Sequence, residues 1–157
     1  MILLDTSVLF DSLTGPRRSG PALRRAIENG ERILIPSLVL YEWLRGPRLP
    51  EEIAAQEALF PSDAAVPFGS QEAALSAKLY SSLSRPRGRG IDLAIAACAI
   101  SRQAELWTLN DADFKDIPSL RLSDSASPQG SRPAFRRAKV NSEWPQATEM
   151  NCRPSTI

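Results

Sequence analysis

Five carboxylates stand where a carboxylate needs a reason to be. Asp5 ends the apolar opening MILLD, Glu42 interrupts LVLYEWL, Asp92 stands one residue into IDLAIAACAI, and Asp111 and Asp113 follow ELWTLN. A charged group in apolar surroundings is costly without a partner, and each has a local one on offer. Asp5 can cap a following helix by accepting its backbone N–H groups. Asp92, in a first helical turn, is favoured by the helix dipole, and Glu42 can pair with Arg45 three residues on. Taken together the positions have a sharper meaning. Asp5 and the 110–113 loop both follow apparent strands, and the helices bearing Glu42 and Asp92 can bring those acids to the same edge. Carboxylates gathered there repel one another unless a cation holds them, and oxygen ligands favour Mg²⁺ or Mn²⁺. One or two such ions suit phosphodiester hydrolysis: they activate the attacking water, neutralise the charge developing on phosphate and assist the leaving oxygen.

The residues that are missing narrow the chemistry further. The chain has no histidine, which excludes Ser-His-Asp hydrolysis, Cys-His nucleophiles, histidine acid-base ribonuclease chemistry and the usual zinc sites. Catalysis is left to carboxylates, hydroxyls, basic residues or a metal held by oxygen. The net charge of +1 decides little, since a nucleic-acid binder needs a local basic surface rather than a large total. Such a surface is offered by SRPRGRGID, where Arg85, Arg87 and Arg89 precede Asp92 in a loop that Pro86, Gly88 and Gly90 keep from being helical. It reads either as a solvated loop or as phosphate contacts beside a cutting site, with salt-dependent binding in the second case. Trp43 and Trp107 read as core residues rather than base-stacking platforms. Cys98 lies in an apolar run and reads as a free buried thiol, with no disulfide to the distant Cys152.

The elements that must position these groups alternate. ILL at 2–4 reads as a buried strand and 6–13 as a helix; Gly15, Pro16, Gly20 and Pro21 mark a loop, and PALRRAIENG reads as a helix opened by Pro21 and closed by Gly30. RILIP is a second strand stopped by Pro36, and Ser37 is placed to cap SLVLYEWLRG. PEEIAAQEALF is a helix, AAVPF a short third strand, and SQEAALSAKLYSSL a helix with Ala74, Leu75, Leu79 and Leu83 turned inward. IDLAIAACAISRQ is an alanine-rich helix followed by the strand LWT. This alternation predicts an α/β fold, a three-layer α/β/α arrangement with a central parallel sheet whose strand ends carry the ligand site. At 157 residues and 43% hydrophobic composition one domain is expected, over residues 1–123. Residues 124–157 hold little apolar surface, include the basic RRAK at 136–139, and are expected to be a disordered tail. There is no internal repeat, no apolar run of membrane-spanning length and no secretory signal, so a cytoplasmic protein is expected.

Four segments, LLDTSVLFD, PSLVLYEWLRG, GIDLAIAACA and LWTLNDADFKDIPSLRL, resemble in order and spacing the four motifs of the PIN-domain family, and within it the VapC-like toxins. The resemblance covers about residues 1–123. It implies a Mg²⁺-dependent endoribonuclease, with Mn²⁺ as substitute, that cuts RNA by metal-activated water and leaves 5′-phosphate and 3′-hydroxyl ends. By motif, the catalytic and metal-binding acids map onto Asp5, Glu42, Asp92 and Asp113, with Asp111 ranked below Asp113. Thr6, Ser7, Thr108 and Asn110 match supporting polar positions, although Ser7 serves equally as a capping residue. The family further implies a cognate small antitoxin protein, a homodimer and a type II toxin-antitoxin role. Two other readings stay open: an RNA-processing PIN nuclease without antitoxin, and a non-catalytic PIN-fold module that binds RNA or protein.

Overall fold

The computed structural model describes residues 1–123 apart from Arg17 and Arg85; the expected tail at 124–157, with its RRAK segment and Cys152, lies outside the described residues. Strand β1 (Ile2–Leu4) pairs with β2 (Ile33–Leu34) on one side and β3 (Glu105–Trp107) on the other, and β3 pairs with β4 (Arg121–Leu122). The sheet order is β2-β1-β3-β4, and every pair is parallel. Parallel strands share their polarity, so the residues that follow β1, β3 and β4 all emerge at one edge.

Helices α1 (Thr6–Leu13) and α2 (Gly20–Glu28) connect β1 to β2, and α3 (Ser37–Leu44), α4 (Pro50–Leu59), α5 (Ser70–Ser82) and α6 (Gly90–Ser101) connect β2 to β3. Successive strand residues point to opposite faces. Leu3 and Leu4 are both fully buried, as are Leu106 and Trp107. Both faces of the sheet are therefore covered, and the architecture is the three-layer α/β/α arrangement that alternating elements require. Helix α6 lies deepest: every residue from Leu93 to Ala99 is buried. A helix apolar all round has no solvent face, and its alanines let α5 and β3 approach closely. Cys98 sits within it, and burial, helped by the Glu72 charge, pushes its thiol up to about 11; the side chain packs and does not react. Trp43 and Trp107 are core residues too, Trp43 meeting the Phe10 ring edge-on at 5.1 Å.

Local expectations fail at four places, each for a visible reason. AAVPF is not a strand but a single bridge of Val66 with Pro36, because Pro67 has no N–H to continue a ladder. The fourth strand is instead β4, whose two residues are too few to show a period-2 pattern. Pro36 takes the N-cap position of α3, and the Ser37 hydroxyl accepts the Phe68 N–H at 3.2 Å, so it anchors the 66–68 segment rather than the helix start. On α5, Ala74 is exposed while Glu72 is buried, its carboxylate reaching back to accept the Gly69 N–H at 3.1 Å, one half of a capping box. Among the described residues no helix is long and apolar enough to cross a membrane.

The strands are so short that each buried side chain matters. Replacing Leu106 by Ala removes a fully buried side chain at the centre of the sheet, and should lower the unfolding free energy by about 3 kcal/mol with an unchanged denaturant slope. A loss below about 1 kcal/mol in urea titration would mean the β1–β3 seam is not the core.

Candidate active site

Pairing of β1 with β3 sets the residue after one strand beside the residue after the other. Asp5 N–H donates to the Trp107 carbonyl at 2.9 Å, which brings its side chain against Thr108. Asp5 is 5% exposed, and its Oδ2 accepts from Thr108 Oγ1 at 2.8 Å, from Ser7 Oγ at 2.6 Å and from Ser7 N–H at 3.4 Å. The aspartate therefore does cap α1, and a hydroxyl from each of two chain segments orients it. Every one of these bonds falls on Oδ2. Among the described residues no donor reaches Oδ1 and no basic side chain pairs with Asp5, so capping leaves one carboxylate oxygen unclaimed. Ser7 Oγ accepts the Leu109 N–H and Thr108 Oγ1 the Asn110 N–H, both at 3.0 Å. The same two hydroxyls thus fix the loop that leaves β3.

Glu42 comes from α3. Thr6, the first residue of α1, donates its hydroxyl to Glu42 Oε2, and Arg45 Nη2 lies 3.7 Å from Oε1. The local pair with Arg45 and the link to the site coexist on opposite oxygens. Glu42 is half-buried rather than enclosed: Val39 and Trp43 face the core, but Tyr41 and Leu44 are exposed, so the apolar run in the sequence overstates its burial.

Asp92 lies in the first turn of α6, and its acidity reports the assembly of the site. Burial, reinforced by the charges of Asp5, Asp113 and Glu42 and opposed by that of Arg89, raises its pKa from 3.8 to about 6. Four acids from four separate segments therefore share one electrostatic field. Asp113 is exposed at the end of a short 3₁₀ turn, Asp111–Asp113, whose backbone is closed by bonds from Asp113 N–H to the Asn110 carbonyl and from Lys115 N–H to the Asp111 carbonyl, each 2.9 Å. Asn110 and Asp111 shape the turn through their main chain, and their side chains are exposed.

The three loop arginines separate. Arg85 is outside the described residues, Arg87 is exposed, and Arg89 folds back onto the molecule. Its guanidinium grips the Asp116 carboxylate at 2.7 and 2.8 Å and also bonds the Asp113 carbonyl. That bidentate pair holds the Asp116 carboxyl below the usual carboxylate range. Asp116 escapes sequence inspection because its partner is 27 positions away; a charged residue shortly after the acidic turn was the only signal.

The donor set suits a hard divalent cation. Among the described residues no group of three or more carboxylates is drawn together tightly enough to cage an ion unaided. Mg²⁺ does not need such a cage, since it keeps several waters and takes only one or two carboxylates directly. An open edge with four acids around it and Oδ1 of Asp5 without a donor matches that demand.

Comparison with known proteins agrees with this architecture. The family model for the PIN domain matches residues 2–120. The chain is 36% identical over 124 residues to ribonuclease VapC19 of Mycobacterium tuberculosis, across 77% of this chain and 98% of that protein. It is 32% identical over 133 residues to ribonuclease VapC of Rickettsia bellii, across 77% and 93%. Among solved structures, DNA-bound VapBC from Salmonella typhimurium is similar in fold, with a TM-score of 0.67 at 24% identity over 79% of this chain and 97% of that one. FitAcB from Neisseria gonorrhoeae gives 0.59 at 18% over 80% and 99%.

The Asp92 shift carries a pH signature. In the unfolded chain the group ionises near 3.8 and in the fold near 6, so the folded state binds more protons between these values. Stability falls as pH rises through this window, and the deficit is complete above it. Asp92→Asn, in EDTA, should therefore stabilise the protein at neutral pH by on the order of 1 kcal/mol after solvent screening, with no gain below about pH 4. Thermal melts at both pH values test this, and equal melting shifts would put Asp92 outside the shared field.

Proposed function

The chain belongs to the PIN-domain family, and from that premise we propose that it is a Mg²⁺-dependent endoribonuclease, the toxin of a type II toxin-antitoxin pair, with Mn²⁺ able to replace Mg²⁺. The observation that carries the reading is the common field of Asp5, Glu42, Asp92 and Asp113 at the carboxyl edge of the sheet. It is supported by the ribonuclease names of relatives matched over nearly their whole length. In this reading Asp5, Glu42, Asp92 and Asp113 hold the cation. When bound, Mg²⁺ supplies the Lewis acidity that activates water and offsets negative charge on the phosphate.

The surrounding residues prepare that edge. Thr108 and Ser7 occupy Oδ2 of Asp5 and so leave Oδ1 for the cation. Thr6 fixes Glu42 through its Oε2, while Arg45 lies beside Oε1. Asn110 and Asp111 build the turn that presents Asp113. Arg87, exposed in the loop before α6, together with Arg85 by its place in the sequence, contacts RNA phosphates beside the cut, which makes binding salt-dependent. Hydrolysis with water entering opposite the 3′-oxygen leaves 5′-phosphate and 3′-hydroxyl ends. The names of the structural relatives, VapBC among them, support a cognate antitoxin as partner; a homodimer and a cytoplasmic site of action complete the proposal.

Purified protein incubated with a defined RNA should cut it in Mg²⁺ or Mn²⁺ and not in EDTA. Asp5→Asn, prepared identically, should lose on the order of 100-fold or more of the rate, and Thr108→Val, which removes one of the two hydroxyls that orient Asp5 together with the acceptor of the Asn110 N–H, about 10-fold. Cutting that survives EDTA, or equal rates for wild type and Asp5→Asn, contradicts the assignment.

A further inference from the structure

We propose that Arg89 is a positioning residue of the acidic site, a clip that fastens the loop bearing Asp113 to the start of α6, and that it does not contact RNA phosphate. The inference rests on the metal-site reading above and adds to it how the site is held open for its ion.

The guanidinium is oriented for this task. Arg89 is the residue before α6, three positions ahead of Asp92, and its side chain is only 17% exposed. Nη1 donates to Asp116 Oδ2 at 2.8 Å and Nη2 to Oδ1 at 2.7 Å, the fork-on-fork geometry that only arginine makes. Nη2 also donates to the backbone carbonyl of Asp113, while Nε is buried without an acceptor. A side chain meant for a phosphate in solvent has no cause to leave one donor unsatisfied in the interior. A bidentate phosphate contact would require this guanidinium to give up Asp116. Gly88, with φ at +83°, turns the chain between exposed Arg87 and inward Arg89, so neighbouring arginines take up different duties.

The clip acts where the site most needs it. Asp92 and Asp113 repel, and Asp113 sits on an exposed turn of three residues that repulsion would push away. Arg89 joins the two sides: it is covalently tied to the helix of Asp92 and hydrogen-bonded to the main chain of Asp113 and to Asp116 three residues later. Its charge also opposes the repulsion directly. The facing charges are then Asp92, Asp113 and Asp116, with Lys115 on the same turn beside Asp116.

The test uses full-length protein, three variants and two readouts, with every sample verified as folded by circular dichroism. Mn²⁺ affinity is measured from the electron paramagnetic resonance signal of the free ion, and RNA oligonucleotide binding is measured in EDTA as a function of salt. A clip predicts that Arg89→Gln and Asp116→Asn each weaken Mn²⁺ binding by about 10-fold, and that neither changes the salt slope. A phosphate contact predicts the reverse: Arg89→Gln lowers the slope by about one, Asp116→Asn frees the guanidinium and tightens RNA binding, and Mn²⁺ affinity is unmoved. Those results, or variants that lose stability alone with Mn²⁺ affinity intact, overturn the proposal. Asp116→Asn also removes a negative charge, so Arg89→Lys, which keeps the charge and loses the fork, keeps the test decisive should Arg89→Gln not fold: a clip predicts weakened Mn²⁺ binding by Arg89→Lys, and a phosphate contact predicts Mn²⁺ affinity unmoved. Wild-type protein that binds no Mn²⁺ overturns the metal reading itself, an outcome distinct from equal binding by wild type and variants.

Discussion

Mutual repulsion among carboxylates at one sheet edge is the constraint this structure is organised around. Two unit charges about 6 Å apart in an effective dielectric of about 20 repel by roughly 3 kcal/mol, and here Asp92 feels three neighbours at once. A fold with a marginal stability of the usual kind cannot carry that cost without compensation. The compensation has two sources. One is the dense apolar support directly beneath the edge, where Leu3, Leu4, Leu106 and all of the middle of α6 are buried. The other is a ring of neutral and positive donors: the hydroxyls of Thr6, Ser7 and Thr108, and the guanidiniums of Arg45 and Arg89.

Those donors are placed selectively: the hydroxyls that hold Asp5 crowd onto Oδ2. The capping duty of Asp5 and its duty at the site are therefore not rivals. A carboxylate that caps a helix with one oxygen is held at a fixed angle, and its other oxygen is left available, as the proposed metal role of Asp5 requires. Preorganisation of this kind spares the cost of ordering side chains when an ion arrives. Glu42 differs, since both of its oxygens have a neighbour, the Thr6 hydroxyl on Oε2 and the Arg45 guanidinium 3.7 Å from Oε1.

What the sequence makes legible is what is local or periodic. The ends of β1 and β3, the helix after Asp5 and the uninterrupted apolar run of α6 are readable because alternation, capping chemistry and apolar length act over a few residues. The acids stand out for the same reason: a charge inside an apolar frame is visible without any structure. Long-range bonds leave no such trace. The Thr6–Glu42 contact spans 36 positions and Arg89–Asp116 spans 27, so neither the support of Glu42 nor the inward turn of Arg89 is readable beforehand. β4 is hidden because two residues carry no period, and Ser37 looks like a cap because Ser before an apolar run usually is one; here Pro36, with φ already near the required value, takes that position and releases the hydroxyl to bind Phe68.

The most direct test of the central claim is diffraction from crystals soaked in Mn²⁺, with anomalous scattering collected at the manganese edge. An anomalous peak is expected at the carboxyl edge of the sheet, on the Oδ1 side of Asp5 and within reach of Asp92 or Asp113. A peak lodged elsewhere, or a well-diffracting soaked crystal with no peak at that edge, would contradict the claim.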